Sequence, residues 1–179
     1  RKVTRKTAGV EVSGKKLTLS WPIDQLLGEV AGEIEAFSAQ IGLEIMQAFA
    51  AGNLPRPPIS DTMPMTPDQV EEGRVVFLAT ADERHTNPLG GVHGGFAATV
   101  LDSVTGCATH TVLAAGESYG TTDLTIKMCR PLPFNKTLRA EGRVINAGRN
   151  LVISEGRIED EDGKLYAHAT ATCMVIRQG

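Results

Sequence analysis

Apolar residues recur at every third or fourth position along two stretches of the chain, and at every second position along much of its second half. The first helical stretch runs from Pro22 to Gly52, and the second runs from Gly94 to about Ala114. Such spacing places apolar side chains on one face of an α-helix. The chain is therefore predicted to contain two substantial helices, the first amphipathic and packed on its own domain or on a dimer partner.

Short apolar runs and period-two alternation predict five strands around and after the second helix. Asp162-Gly163 is typical of a tight hairpin turn between the last two of them. Neighbouring strands that follow one helix favour an antiparallel α+β domain. The predicted strands are 74–81, a segment that contains Leu124, Ile126 and Met128 and ends at Arg130-Pro131, and then 138–146, 151–159 and 165–176.

Residues 1–58 are predicted to form an N-terminal extension, and residues 59–179 the main domain. Alternating apolar residues around Ser13-Gly14 indicate a short hairpin before the amphipathic helix. Five prolines between residues 53 and 68 disfavour a helix or an inner strand there. This stretch is therefore predicted to be a linker in which any strand is an interrupted edge strand.

The composition narrows the range of functions. A chain of 179 residues that is 41% hydrophobic and 22% charged has the balance of one globular domain. A net charge of −3 and an aromatic fraction of 4% disfavour nucleic acid as a partner. No apolar run reaches the 18 or so residues of a membrane span, so neither a membrane span nor export is expected.

The cysteines and histidines point to a cytoplasmic protein without a metal. The cysteines are odd in number, and each falls in a predicted helix or strand, which favours buried, reduced thiols. The histidines lack metal-ligand spacing, so no metal or bound cofactor is expected. His85 is predicted to be a solvated loop residue rather than a catalyst. The cysteines are Cys107, Cys129 and Cys173, and the other histidines are His93, His110 and His168.

The strongest candidate for chemistry is the start of the second helix. Asn87-Pro88 and the glycines that follow indicate an irregular turn with a close backbone approach. Gly94 and Gly95 then begin the helix, where backbone N–H groups have no intrahelical partner and the helix dipole is positive. These N–H groups are candidate donors to an oxygen that develops negative charge in a reaction.

Asp102 is the second candidate, because the helix around it is mostly apolar. It lies seven residues after Gly95, on the same face and about 10 Å along the axis. One carbonyl group cannot touch both, so if both act on it they come from different copies of the chain. This predicts a site across a homodimer interface, with two sites per dimer. Alternatively, the glycines form a simple tight turn and Asp102 bonds a neighbouring backbone N–H.

The pattern Asn87-x5-His93-Gly94-Gly95-x6-Asp102 resembles that of the hotdog-fold acyl-CoA thioesterases, in particular the phenylacetate-pathway-like thioesterase family. The resemblance covers about residues 59–179. It implies an antiparallel sheet curved around one long central helix, here with an N-terminal helical extension. The implied reaction is hydrolysis of an aryl or medium-chain acyl-CoA to the free acid and coenzyme A, in a homodimer that pairs into a homotetramer.

The resemblance also assigns roles to the motif residues. Asp102 matches the catalytic carboxylate, which acts as a general base on water or as a nucleophile on the thioester carbonyl. The backbone N–H of Gly94 or Gly95 would polarise the thioester oxygen. Asn87 would orient the water or the carbonyl, and His93 would shape the loop.

Further candidates lie after the motif or within the helix. Thr121 aligns with a hydroxyl position that assists catalysis from the following strand. Phe96 and Met128 suggest an apolar pocket for the acyl group. Arg149 and Asn150 are at a predicted hairpin tip and could bind the coenzyme A phosphates, although a solvated turn is the alternative.

Two other functions remain open from the sequence. A hotdog hydratase or dehydratase would use a histidine and a carboxylate on a hydroxyacyl thioester, which His93 and Asp102 could supply. The presence of Asn87 and the spacing of His-Gly-Gly-x6-Asp favour hydrolysis instead. A non-catalytic acyl-CoA sensor is the other alternative, but the sequence shows no DNA-binding segment for it.

Overall fold

The computed structural model describes residues 8–12, 15–19 and 41–177. Strands β1 (Ala8–Val12) and β2 (Lys15–Leu19) pair antiparallel, which confirms the predicted N-terminal hairpin. This hairpin belongs to a compact unit of its own. Residues 20–40, which include most of the predicted amphipathic helix, lie outside the described residues.

The second compact unit is a six-stranded antiparallel sheet that packs against one long helix. The strand order is β3-β4-β6-β7-β8-β5. This arrangement confirms the predicted α+β fold with a central helix. The elements are α1 (Gly42–Ala50), α2 (Ile59–Thr62), β3 (Met65–Glu71), β4 (Arg74–Thr80), a 3₁₀ turn (Glu83–His85), α3 (Gly94–His110), β5 (Glu117–Met128), β6 (Thr137–Ala147), β7 (Leu151–Glu159) and β8 (Leu165–Arg177).

Helix α1 covers only the last part of the predicted first helix. Ile41 has an extended backbone, and its N–H donates to the Glu44 carboxylate at 3.3 Å. The apolar spacing predicts a helix that continues through position 41, and this prediction is therefore wrong. Gly42, the first residue of the helix, lies so close to α3 that a Cβ there would be 1.8 Å from the His110 carbonyl oxygen. That contact fixes the start of α1 against the end of α3.

The proline-rich segment forms more structure than the sequence predicts. Helix α2 is a single turn within it, so the expectation that it holds no helix is wrong. Strand β3 is an edge strand whose register shifts between Pro67 and Gln69, which confirms an interrupted edge strand. The domain boundary between residues 58 and 59 stays a prediction.

Helix α3 ends at His110, four residues earlier than predicted. Thr111 follows the last residue of the helix, and its hydroxyl donates to the Ala108 carbonyl at 2.7 Å and accepts from the Gly73 N–H at 2.7 Å. These bonds tie the end of the helix to the turn between β3 and β4. The helix therefore has a fixed position over the sheet.

Helix α3 packs very close to the sheet because small residues line the inner face of the sheet. A Cβ at Gly142 in β6 would lie 2.1 Å from the Val104 carbonyl oxygen. In β8, Ala167, Ala169 and Ala171 are all buried on the inner face, as their spacing predicts. Close packing on this side leaves the opposite side of α3 available for a site.

The outer face of the sheet, away from α3, carries an exposed apolar patch at one end. Leu151 and Met174 are direct cross-strand partners in it. Each side chain of the patch is at least 40% exposed. We call these residues the outer patch: Ile145, Leu151, Ile153, Met174 and Ile176.

The three cysteines differ in exposure. Cys173 is buried in β8, and Cys107 is half-buried in α3. Cys129 is exposed just beyond the end of β5, so the prediction that all three are buried within helices or strands is wrong for it. Among the residues that the structure describes, no helix combines the length and apolarity that crossing a bilayer requires.

Candidate active site

The Asn87 side chain organises the glycine loop that precedes α3. Its Oδ1 accepts hydrogen bonds from the backbone N–H groups of Leu89 at 2.9 Å and Gly91 at 3.2 Å. Its Nδ2 donates to the Val92 carbonyl at 3.4 Å. The amide therefore fixes the shape of the loop, and its predicted role in orienting water or a carbonyl stays a prediction.

His93 caps α3 and distinguishes its two candidate donors. Its Nδ1 accepts a hydrogen bond from the Gly95 N–H at 2.8 Å, so this nitrogen is unprotonated and the Gly95 donor is occupied. Within residues 41–177 the Gly94 N–H has no hydrogen-bond partner. Gly94 therefore offers the free backbone donor at the positive end of the helix.

His85 is a buried structural residue and not a solvated one. It is 7% exposed, and its Nε2 donates to the Thr62 carbonyl at 2.7 Å while its Nδ1 accepts from the Asp82 N–H at 3.0 Å. The prediction of a solvated loop histidine is therefore wrong. Its ring packs edge-on against Phe96, with centroids 4.7 Å apart, so Phe96 lies in the core beneath the loop.

Asp102 lies on the side of α3 that faces away from the sheet, and its side chain is exposed in the single chain. Its neighbours on this face are the hydroxyl residues Thr99 and Ser103, which donate to the carbonyls of Gly95 and Thr99. The Asp102 carboxylate makes no hydrogen bond or ion pair with any described residue. The alternative in which it bonds a neighbouring backbone N–H is therefore not observed.

An open cavity of about 370 Å³ borders Asp102. The α3 and β5 side of its lining includes Asp102 and Thr121, so the structure brings these two predicted site residues together. The remaining wall comes from α1, residues 56–60, β3 and β4, and it is mostly apolar. Its size falls in the range of small-molecule sites.

Most titratable groups on the cavity lining are uncharged near neutral pH. Burial raises the pKa of the Cys107 thiol to about 12, and the nearby Asp102 carboxylate adds to that rise. Burial also raises the pKa of Tyr119 and lowers that of His110. The other titratable side chains of the lining are Asp102 and the exposed Arg56.

The donors at the start of α3 and Asp102 are separated within one chain by about two turns, or 10 Å along the axis. Gly94 instead lies against the Met128 side chain, at the far end of β5. The structure therefore does not bring Gly94 and Asp102 onto one small group in a single chain.

The candidate phosphate ligands lie at the opposite end of the sheet from Gly94. Asn150 accepts from the Arg177 guanidinium at 3.4 Å, and Arg177 donates to Glu117 at 2.8 Å, at the start of β5. Arg149 is exposed at the same hairpin tip and accepts from Arg177 through its carbonyl. Both residues are therefore distant from the α3 N-terminus of their own chain.

Sequence reasoning missed Met46 and Phe49 as site residues. The apolar spacing that predicted the first helix includes Phe49 but not Met46, and it indicated only an apolar face. Nothing in the spacing indicates that this face borders the Asp102 cavity, because that depends on a contact between α1 and α3. No group of three or more metal-ligating side chains occurs in the described part of the chain.

Comparisons with known proteins agree with this fold. Residues 89–167 match the family model of the thioesterase superfamily. A proposed esterase of Saccharolobus solfataricus is 31% identical over 108 residues, which cover 60% of this chain and 76% of that protein. The crystal structure of a proposed thioesterase from Ralstonia eutropha JMP134, a phenylacetic acid degradation-related protein, is 32% identical, with a TM-score of 0.65 over 72% of this chain and 98% of that one.

A second similar structure contains coenzyme A. It is a hypothetical thioesterase protein of Streptococcus pneumoniae that is 22% identical, with a TM-score of 0.59 over 64% of this chain and 87% of that one. At this identity the likeness shows the fold.

Proposed function

Because this chain belongs to the thioesterase superfamily and is a thioester hydrolase, we propose that it hydrolyses acyl-CoA thioesters at a site shared by two chains of a homodimer. The products are the free acid and coenzyme A. The coenzyme A in the Streptococcus pneumoniae structure supports this leaving group. The apolar cavity supports an aryl or medium-chain acyl group.

The observation that carries the proposal is the Asp102 carboxylate, which is exposed on the open face of α3 and borders the apolar cavity. As a general base, it removes a proton from water as the water attacks the thioester carbonyl, and the C–S bond then breaks. As a nucleophile, it forms an acyl-enzyme anhydride that water hydrolyses. Thr121, which lines the same cavity, would assist either route.

The open face of α3 supports a shared site. Gly95, Ala98, Thr99 and Ser103 are small and partly exposed there, so a second helix could approach closely. In such a dimer the Gly94 N–H of one chain would polarise the thioester oxygen while Asp102 of the other acts on the carbonyl carbon. This arrangement removes the 10 Å separation that a single chain imposes.

Larger assembly and location follow from other features. The outer patch lies on the face of the sheet away from α3 and supports pairing of dimers into a homotetramer. Three free thiols favour a reducing, cytoplasmic location.

The test of catalysis is thiol release from a panel of aryl- and alkyl-CoA thioesters. Asp102→Asn should lower kcat/KM by at least about a hundredfold, because it removes both the base and the nucleophile. Asp162→Asn is the matched control, since Asp162 is an exposed aspartate at the distant β7–β8 turn. Circular dichroism would check the fold of both variants. Retention of the wild-type rate by Asp102→Asn would overturn the assignment.

A mixing experiment tests the shared site. Gly94→Pro removes the free N–H, and proline suits the first position of a helix. Unfolding and refolding Asp102→Asn with Gly94→Pro in equal amounts should restore about a quarter of the wild-type rate, because half of the dimers are hybrids with one intact site. A site within one chain would give no recovery above the two separate variants.

A further inference from the structure

The wall of the Asp102 cavity that α1 supplies lies outside the region that matches the thioesterase family. That region begins at residue 89, whereas Met46 and Phe49 of α1 and residues 56–60 also line the cavity. The part of the site that bears Asp102 and Thr121 is therefore shared with the family. The part contributed by residues 46–60 lies before the residues that the family model matches.

Helix α1 is a fixed wall and not a loose flap. The Gly42 N–H donates to the Leu113 carbonyl at 3.2 Å, and Ile45 and Met46 are 3% and 4% exposed. Met46 belongs to the main hydrophobic core, and Phe49 packs against it. A change at the half-buried Phe49 would therefore alter the shape of the cavity while the Gly42 and Ile45 contacts still hold the helix.

The chemistry of this wall favours an uncharged, apolar group. Met46, Phe49, Met65 and Phe77 supply thioether and aromatic surface, and the cation on the lining, Arg56, is exposed. A carboxylate or hydroxyl on the acyl group would find little compensation for lost water there. Methionine and phenylalanine side chains instead pack well against methylene groups and aromatic rings.

We propose that α1 determines which acyl groups the enzyme accepts, with Met46 and Phe49 limiting the length of an apolar acyl chain. This inference rests on the proposed acyl-CoA thioesterase activity. Phe49 is the more informative position, because it is half-buried and tolerates replacement better than the buried Met46. Smaller residues at either position enlarge the cavity next to Asp102.

The test compares kcat/KM for a series of straight-chain acyl-CoA thioesters from butyryl to myristoyl. In Phe49→Leu, kcat/KM for the longest accepted chain, divided by kcat/KM for a short chain, should rise at least about tenfold. A pocket discriminates each methylene group by roughly that factor. Phe49→Trp should shift the ratio in the opposite direction. A loss of folded enzyme lowers both rates equally, so the ratio reports selectivity alone.

Phe134→Leu is the matched control, because Phe134 is also half-buried but does not line the cavity. Its chain-length ratio should equal that of the wild type. An unchanged ratio in both Phe49 variants, with an active wild type, would overturn the inference and leave the proposed function intact.

Absence of thiol release by the wild type on every thioester would contradict the proposed function instead. Calorimetric titration with decanoate then decides the role of α1. Decanoate binding that weakens at least about tenfold in Phe49→Trp would support an apolar site bordered by α1. Decanoate binding that is absent, or that Phe49→Trp does not change, would overturn the proposed role of α1.

Discussion

At the scale of single residues, the two adjacent glycines that begin α3 differ in what they can offer a substrate. The Gly95 N–H is bound by His93 Nδ1 at 2.8 Å, whereas the Gly94 N–H has no partner among residues 41–177. A donor that is already oriented and unoccupied stabilises developing charge without reorganisation. Gly94 is therefore the better candidate for the oxyanion donor.

Gly94→Pro should lower kcat about 10²- to 10³-fold, the usual effect of losing one oxyanion donor. Gly94→Ala retains the N–H, and its Cβ would meet only the flexible Met128 side chain at 3.3 Å, so its rate should stay near that of the wild type. Steady-state kinetics and circular dichroism measure both. Equal losses in the two variants would show that space at position 94, and not its N–H, limits the reaction.

The residue scale also shows what the sequence could and could not predict. The spacing of Asn87, His93 and Asp102 was sufficient to locate the loop, the helix start and the exposed carboxylate. The state of each donor was not predictable, because it depends on the rotamer of His93. His85 was predicted to be solvated because its neighbours are polar, and the Thr62 and Phe96 contacts that bury it come from distant parts of the fold.

At the scale of elements, the contact that sets the position of α3 on the sheet is between α3 and β6. A Cβ at Gly142 would lie 2.1 Å from the Val104 carbonyl oxygen, a backbone atom that cannot rotate away. Any side chain at this position would displace α3 from the sheet. Since Asp102 lies on α3, a displacement of the helix would also move the Asp102 carboxylate.

Gly142→Ala should lower the free energy of unfolding by about 3 kcal/mol, at the upper end of the cost of overpacking a core. Gly120→Ala is the control, because a Cβ there would be 3.7 Å from its nearest neighbour, an ordinary contact. Urea unfolding followed by circular dichroism measures both. A stability of Gly142→Ala within about 0.5 kcal/mol of the control would contradict the close approach.

A helix or strand was predictable where its own residues show the periodicity of apolar positions that is typical of that element. Residues 151–159 alternate buried and exposed side chains, and the predicted strand has the observed bounds of β7. The first half of β5 was missed because residues 117–123 are mostly polar and exposed there, so no alternation marks them. The start of α1 was missed because it depends on the contact between Gly42 and His110, which local spacing does not encode.

At the scale of the whole molecule, the sheet has two faces with different roles. The inner face holds α3, and the outer patch exposes five large apolar side chains on the opposite side. Contiguous apolar surface of this kind commonly marks a contact between proteins. The outer patch is therefore where dimers should meet, at a distance from the Asp102 cavity.

Ile153→Lys should convert a tetramer into dimers and leave kcat/KM nearly unchanged, because a charge would be buried without a partner in the contact. Thr170→Lys is the control, since Thr170 is exposed on the same face but outside the outer patch. Light scattering after size-exclusion chromatography gives the mass of each. A wild-type dimer, or an Ile153→Lys tetramer, would rule out this surface as the second interface.

Because the three cysteines differ in exposure, the rates at which they react with a thiol reagent report how often the folded chain opens. A thiol-reactive dye should label Cys129 at once, Cys107 slowly because of its raised pKa, and Cys173 only when β8 separates from its neighbours. The slow labelling rates then measure the free energy of local and global opening in the native state. For the same reason, a Cys129→Ser chain is the proper enzyme for assays that detect released coenzyme A with a disulfide reagent.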